Sequence, residues 1–225
     1  LLKQAKHFRL LRGWPLLTSL VVLTIATAFS VIFLLRAKHI QRGVEIVQVT
    51  ALPGFEQHPS FSPDGSQIVF TVTSISTPQQ GYSGISSDIY VKAIGDEQTL
   101  RLTQPPGNSL CPNWSPDGRT IAYQHESDVS KFESAVFLMT PLGGAKHQIR
   151  LVSDASSCIT SWSPDAKTLA YDDKPPGENS GIFLVPLTGS PALRLTTAPD
   201  TMFDGSPAFS PDGKQIAFVR NRDQG

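Results

Sequence analysis

Residues 61–70 read FSPDGSQIVF, and the chain writes this phrase four times: WSPDGRTIAY begins at Trp114, WSPDAKTLAY at Trp162 and FSPDGKQIAF at Phe209. The serine of the phrase falls at Ser62, Ser115, Ser163 and Ser210, at intervals of 53, 48 and 47 residues. Recurrence at such a period marks a repeat architecture. Pro63 presets φ for the first central position of a type I turn, and the Asp64 carboxylate can reach nearby backbone amides. Gly65 can take the left-handed conformation that lets a three-residue hairpin reverse. The same roles fall to Pro116, Asp117 and Gly118, to Pro164, Asp165 and Ala166, and to Pro211, Asp212 and Gly213. Ala166 replaces glycine in the third copy. A left-handed alanine costs about 1 kcal/mol, so that turn is expected to be slightly altered.

Beyond the turn, Ile68 and Phe70 alternate with Gln67 and Val69, which predicts a strand with one face against the next repeat. The aromatics before the turns, Phe61, Trp114, Trp162 and Phe209, are expected to fill equivalent positions between repeats, since large aromatic burial explains them without a ligand. A second strand-like segment follows at DIYVKAI (Asp88), AVFLMTPL (Ala135) and GIFLVPL (Gly181), and a third at TLRLTQ (Thr99), HQIRLVS (His147) and ALRLTTA (Ala192). SISTPQQGYSGISS, 74–87, reads as a polar loop inserted in the longest unit. No window after Val44 has a helical period. With the aromatic on a strand of its own, each unit supplies four short antiparallel strands, the pattern of a propeller blade. A sandwich or barrel has no need of one phrase at constant pitch. The units fall near 52–103, 104–152, 153–197 and 198–225, the last incomplete.

Ahead of the repeats, 14–36 contains WPLLTSLVVLTIATAFSVIFLL without a charge, and about 20 apolar residues suffice to cross a bilayer as a helix. The competing reading is a signal peptide cleaved near Ala26-Thr27-Ala28. The run continues through Leu35, which favours an uncleaved anchor. Lys3, Lys6, Arg9 and Arg12 lie in the tail 1–13 with no acid among them, so that tail is expected in the cytoplasm and the repeats outside it, joined by a linker at 37–51.

Chemistry is sparse. Nineteen basic residues balance nineteen acidic ones, which gives no reason to expect a polyanionic partner such as nucleic acid. There is no Gly-x-Ser-x-Gly elbow. His7, His39, His58, His125 and His147 are scattered, without partners at metal-ligand spacing, and are expected to be solvated or hydrogen-bonded loop residues. The aspartates Asp64, Asp117, Asp165 and Asp212 suggest a ring of carboxylates, but a turn role accounts for them better. Asp172, Asp173 and Asp204 have loop contexts and no partner at meaningful spacing. No catalytic residue, metal or cofactor is expected. Cys111 and Cys158 stand three and four residues before the tryptophans. They are expected to be two small buried side chains, with a bond between neighbouring units left open.

In this order, these residues resemble the TolB-like class of WD-repeat-like propellers, over about Leu52 to Arg220. The resemblance implies an all-β, TolB-like β-propeller of about 3.5 four-stranded blades, preceded by one transmembrane α-helix. LPGFEQHPSFSPDGSQIVF, then DIYVKAIG and LRLT behind a single span, is similar to the exported half of bacterial membrane-anchored signalling proteins. Those carry a cytoplasmic winged-helix DNA-binding domain or a serine/threonine kinase domain. On that likeness the chain reads as a fragment: a non-catalytic sensor, single-pass in the inner membrane, with a periplasmic or extracellular propeller that binds an unknown protein or small ligand. DNA would be a partner only of a winged-helix head upstream. Two alternatives stay open. One is the gating propeller of a membrane-anchored peptidase similar to prolyl oligopeptidases; the other is a scaffold in envelope assembly.

Overall fold

The computed structural model describes residues 23–25, 27, 30, 46–76, 84–128, 133–153 and 160–222. Two compact units are present, Leu1–Gln48 and Val49–Gly225. In the first unit the described residues 23–25, 27 and 30 are helical, and Leu23 and Ile25 are exposed. The Thr27 hydroxyl lies 3.0 Å from the Leu23 carbonyl and 2.9 Å from that of Thr24, so its own helix satisfies it. Among the described residues no helix is long and apolar enough to cross a membrane. The tail expected at 1–13 and most of the span expected at 14–36 lie outside the described residues.

The second unit is all β. Its first sheet holds β1 (Phe55–Phe61), β2 (Gln67–Ser76), β3 (Gly84–Ala93) and β4 (Thr99–Arg101). The second holds β5 (Asn108–Trp114), β6 (Ile121–Asp128), β7 (Glu133–Met139) and β8 (His147–Val152). The third holds β9 (Ser161–Trp162), β10 (Thr168–Asp173), β11 (Gly181–Pro186) and β12 (Leu193–Arg194). A two-stranded sheet follows, β13 (Met202–Phe209) with β14 (Ile216–Arg222). Every pairing is antiparallel and between neighbours in the chain. Such a meander puts the β1–β2 type of turn at one end of each sheet. The β2–β3 type of hairpin and the crossover to the next sheet lie at the other end.

The expected polar loop at 74–87 is strand at each of its described residues, 74–76 and 84–87. β2 runs on to Ser76, with Ser74 opposite Ser86 and Ile75 opposite Ile85. Hydroxyl pairs hold this extension, Thr73 with Ser87 at 2.9 Å and Ser74 with Ser86 at 3.3 Å, a cross-strand interaction that composition alone disguises as loop. Residues 77–83 lie outside the described set.

Among the described residues two core clusters form, each shared by adjacent sheets. Val69, Ile89, Val91 and Leu102 of the first sheet pack with Trp114, Ile121, Tyr123 and Met139 of the second. Ala122, Val136 and Val152 pack with Trp162, Leu169, Tyr171, Phe183 and Val185 of the third. The face that meets the next sheet is therefore that of Val69 and Ala122. Ile121 and Tyr123, the counterparts of Ile68 and Phe70, face the preceding sheet. The expectation of one face against the next repeat holds, but the sequence does not say which face, because an inner strand is buried on both faces and alternation has no polar side to set its direction.

Trp114 and Trp162 are each 7 % exposed inside these clusters, and Phe209 is half-buried. Phe61, by contrast, is 60 % exposed. Among the described residues no sheet lies ahead of β1, whose burial is slight throughout. Aromatics also pair across the second and third strands of each four-stranded sheet: Phe70–Tyr90 at 6.2 Å, Tyr123–Phe137 at 5.7 Å and Tyr171–Phe183 at 5.6 Å, all stacked.

Candidate functional site

At the turn end each copy of the phrase closes in the same way, and the serine is its centre. The Gly65 N–H donates to the Ser62 carbonyl at 2.8 Å, which leaves the Gln67 N–H without its usual ladder acceptor; the Ser62 hydroxyl takes it at 2.9 Å. That hydroxyl in turn donates to Asp64 Oδ1 at 2.6 Å, and the same oxygen accepts the Ser66 N–H at 3.0 Å. Ser115, Ser163 and Ser210 repeat the set, donating at 2.6 Å to Asp117, Asp165 and Asp212 and accepting at 3.0 Å from Thr120, Thr168 and Gln215. The loop is longer than the three residues expected. Because the Ser62 N–H donates to the Gln67 carbonyl, Pro63 to Ser66 lie between the closing pair.

Ala166 adopts φ 57° and its N–H reaches the Ser163 carbonyl at 2.9 Å, matching Gly118 (φ 74°) and Gly213 (φ 69°), so the third turn is not altered. Its hydrogen bonds and its packing beside the second core cluster offset the conformational cost. The Ser62 hydroxyl, followed by the Ser66 amide, holds Asp64 down to about 2, and Asp117, Asp165 and Asp212 are lowered by the same serine-type contact. Each carboxylate thus serves as the acceptor that closes its own hairpin. No group of three metal-ligating side chains occurs among the described residues.

Neighbouring sheets are bonded to each other through the innermost strands. Three of these strands carry a bulge with a left-handed residue before a proline: His58 (φ 52°), Cys111 (φ 57°) and Ser206 (φ 55°). Beyond the bulge, the residue before the aromatic reaches across. Ser60 Oγ accepts the Trp114 N–H at 3.1 Å, and Ser161 Oγ accepts the Phe209 N–H at 3.0 Å. Between the second and third sheets Asn113 takes this place, donating to the Thr160 carbonyl while its own carbonyl accepts Trp162 Nε1 at 3.1 Å. The Cys111 N–H donates to the buried Thr71 hydroxyl at 3.2 Å. Cys111 is disulfide-bonded, which corrects the expectation of two separate small side chains. The chain has one other cysteine, Cys158, which lies outside the described residues.

The loop end carries the varied polar chemistry. In the first sheet Arg101 pairs with buried Asp88, whose other oxygen accepts the Thr103 hydroxyl at 2.9 Å, while Thr103 Oγ1 accepts the Ile89 N–H at 2.9 Å. The third sheet repeats this Arg-Leu-Thr device. Arg194 Nε donates to the Thr196 carbonyl at 3.0 Å, as Arg101 Nε does to Thr103 at 2.9 Å, and Thr196 Oγ1 accepts the Ile182 N–H at 2.9 Å. Arg194 also pairs with Glu178 at 2.5 Å and lies over the Phe183 ring. In the second sheet the triplet is Arg150-Leu151-Val152. Without the threonine hydroxyl, β8 continues as ladder through Val152 opposite Ser134.

The cross-strand pair before each bulge differs from sheet to sheet: Glu56 opposite Val72, Ser109 opposite His125, Asp204 opposite Arg220. Asp204 is fully buried in a forked pair, 2.6 Å from Arg220 Nε and 2.7 Å from Nη2, and this partner lowers its pKa. His125 stands on a strand rather than in a loop, with Nδ1 3.1 Å from the Ser109 hydroxyl. Ser109 is 1 % exposed, which closes it to a substrate carbonyl. His58 on β1 and His147 on β8 are exposed, and His7 and His39 lie outside the described residues. Asp172 and Asp173 are buried on β10 rather than in a loop, and Asp173 Oδ1 accepts the Ser153 N–H at 2.9 Å.

A family model described as the TolB beta propeller domain matches residues 31–225. The chain is 23 % identical over 199 residues to an uncharacterized peptidase, YuxL, of Bacillus subtilis, covering 72 % of this chain and 29 % of that protein. It is 25 % identical over 132 residues to the Tol-Pal system protein TolB of Nitratidesulfovibrio vulgaris, covering 59 % of this chain and 28 % of that one. The chain thus spans less than a third of the length of these curated relatives. The crystal structure of TolB from Acinetobacter baumannii superposes with a TM-score of 0.61 at 21 % identity, over 83 % of this chain and 45 % of that one.

Proposed function

From the premise that this chain belongs to the TolB beta propeller domain family, we propose that it is a non-catalytic binding module, held to a membrane by its N-terminal apolar segment, that presents the loop end of its sheets to a protein or small ligand. The carrying observation is the division of chemistry between the two ends. At the turn end each carboxylate is engaged inside its own hairpin, whereas at the loop end Asp88–Arg101, Ser109–His125, Arg194–Glu178 and Asp204–Arg220 differ from sheet to sheet on a repeated frame. Variable side chains on a fixed scaffold are where recognition resides. The disulfide at Cys111 supports an oxidising compartment, the periplasm or cell exterior, and the tail charges support a cytoplasmic N-terminus. In this reading the propeller is the sensor of a signalling protein whose winged-helix or kinase head lies on the cytoplasmic side.

A second reading has its own support, the similarity over 72 % of this chain to a protein named as a peptidase. There the sheets would gate a catalytic domain similar to prolyl oligopeptidases. Reading the gene outward separates the two: a nucleophile elbow downstream of Gly225 selects the peptidase, and a winged-helix or kinase domain upstream of Leu1 selects the sensor. A phosphatase reporter fused after the last sheet tests the topology. Activity is expected, and a silent reporter alongside an active cytoplasmic reporter overturns the exported placement.

A further inference from the structure

The crossover from the first sheet to the second rests on a histidine ring. Gly107, at φ 85°, lies so close to β6 that a Cβ there would come within 2.4 Å of the Glu126 carbonyl, 2.9 Å of His125 Cε1 and 3.1 Å of its Nε2. The ring also meets Phe137 edge-on, with centroids 5.6 Å apart, and Nδ1 faces the Ser109 hydroxyl. Next to Gly107, Asn108 Oδ1 accepts the Ser87 N–H of the first sheet at 3.1 Å while its amide reaches Glu126 at 3.4 Å. Residues 107–109 therefore join the two sheets, and the imidazole is wedged beneath them.

We propose that His125 is an acid-sensitive latch: neutral, it seats the 107–109 crossover against the second sheet, and protonated, it releases that crossover and loosens the loop end of the seam. The charged ring would hold N–H groups at both nitrogens. Ser109 Oγ can accept only the one at Nδ1, the Cε1/Nε2 edge lies beside Gly107, and the Asn108 backbone only partly offsets the burial of the charge. Burial is the main influence against the charged form, followed by repulsion from Lys146. A hydrogen bond to the Asn108 backbone, then Glu126 and Asp88, act the other way without overcoming burial, and Asp88 is already paired with Arg101. The fourth sheet puts a permanent ion pair, Asp204–Arg220, at this register position, and the first puts Glu56 opposite Val72. Among these three pairs the second sheet alone holds a group that titrates near neutrality. The sign follows from the depressed pKa: the open form binds the proton more readily, so the closed form has its full advantage above the ordinary histidine value of 6.5 and loses it as pH falls below.

Hydrogen exchange of the full chain at several pH values, corrected for intrinsic rates, reads the opening of residues 102–110 directly. Several-fold more opening is expected at pH 5.5 than at pH 7.5, with the turn-end amides of the same sheet unchanged. His125→Gln, which keeps an acceptor for Ser109 but carries no charge, should flatten that response. Lys146→Glu, on the exposed surface, should weaken it by favouring the charged ring in the closed form. The latch is overturned if the wild-type crossover opens equally at both pH values, or if both variants keep the full acid response.

Discussion

Ser115 Oγ donates to Asp117 Oδ1 across 2.6 Å while accepting the Thr120 N–H at 3.0 Å, so one buried hydroxyl closes both the turn and the strand ladder beside it. Ser115→Ala removes both bonds and leaves a backbone donor without its acceptor. The expected loss is about 1–3 kcal/mol in urea unfolding of the full chain. Asp117→Asn keeps an acceptor oxygen and should cost less than half as much. Equal losses from the two variants would show that the carboxylate charge, rather than the serine hydroxyl, organises the turn.

The turn carboxylates also set the acid limit. Hydrogen bonds from Ser62 and then Ser66 lower Asp64 to about 2, and the other turn aspartates are lowered with serine as the leading cause. Their contribution is complete above the ordinary value of 3.8 and disappears as pH falls through the folded-state value. Stability should therefore change little through these groups down to about pH 4, with the Asp64 share declining between about 4 and 2. In a Ser62→Ala chain, titration of Asp64 followed by NMR should return toward the ordinary carboxylate range; an unshifted titration would sink the assignment to Ser62.

Trp162 is 7 % exposed within a two-sheet cluster, with Nε1 bonded to the Asn113 carbonyl, whereas Phe61 at the matching position is 60 % exposed. Trp162→Ala should cost about 3–5 kcal/mol through lost burial and a cavity. Phe61→Ala should cost about 0.5 kcal/mol, as at an ordinary surface site. Similar urea midpoints for the two variants would mean that repeat position, not coverage by a neighbouring sheet, governs the aromatic.

The features legible in the sequence were the local ones. Pro63, Asp64 and Gly65 act within a few residues of themselves, and their chemistry names the turn. The serine beside them belongs to the same turn phrase, but its role is not legible, because its partner amide is five residues away and an accurate hairpin register is needed to see that the ladder acceptor is taken. Thr103 and Thr196 appear in the repeated LRLT text, but their role as acceptors for strand amides is visible only once β3–β4 and β11–β12 are paired. The bond from Trp114 to Ser60 spans 54 residues, beyond any local pattern. At the candidate site His125 looked isolated, since Ser109 becomes its partner only through antiparallel pairing.

Closing a bond between Cys111 and Cys158 encloses a loop of 47 residues (158 − 111), which in the chain-entropy account is worth up to about 4 kcal/mol. Peptide mapping without reductant should recover Cys111 linked to Cys158. Reduction should add about 2 Da to the chain and lower the urea midpoint. Cys111→Ser should reproduce the reduced midpoint and make it insensitive to reductant. Free thiols at both positions in protein recovered from an oxidising compartment would overturn the pairing.

Tyr123 is fully buried between the first and second sheets, its hydroxyl has no hydrogen-bond partner among the described residues, and burial pushes its pKa well above the usual tyrosine value. Phe70 and Phe218 occupy the same repeat position without the oxygen. The ring contributes through its stacking on Phe137 and its place in the cluster, both of which phenylalanine retains. An unsatisfied buried hydroxyl carries a desolvation cost of about 1–3 kcal/mol, so Tyr123→Phe should be neutral to stabilising, by about 1 kcal/mol at most after repacking. Urea unfolding of the full chain at neutral pH reads the difference. A loss of 1 kcal/mol or more would mean that the hydroxyl has a partner in solution, an ordered water at the seam being the physical candidate.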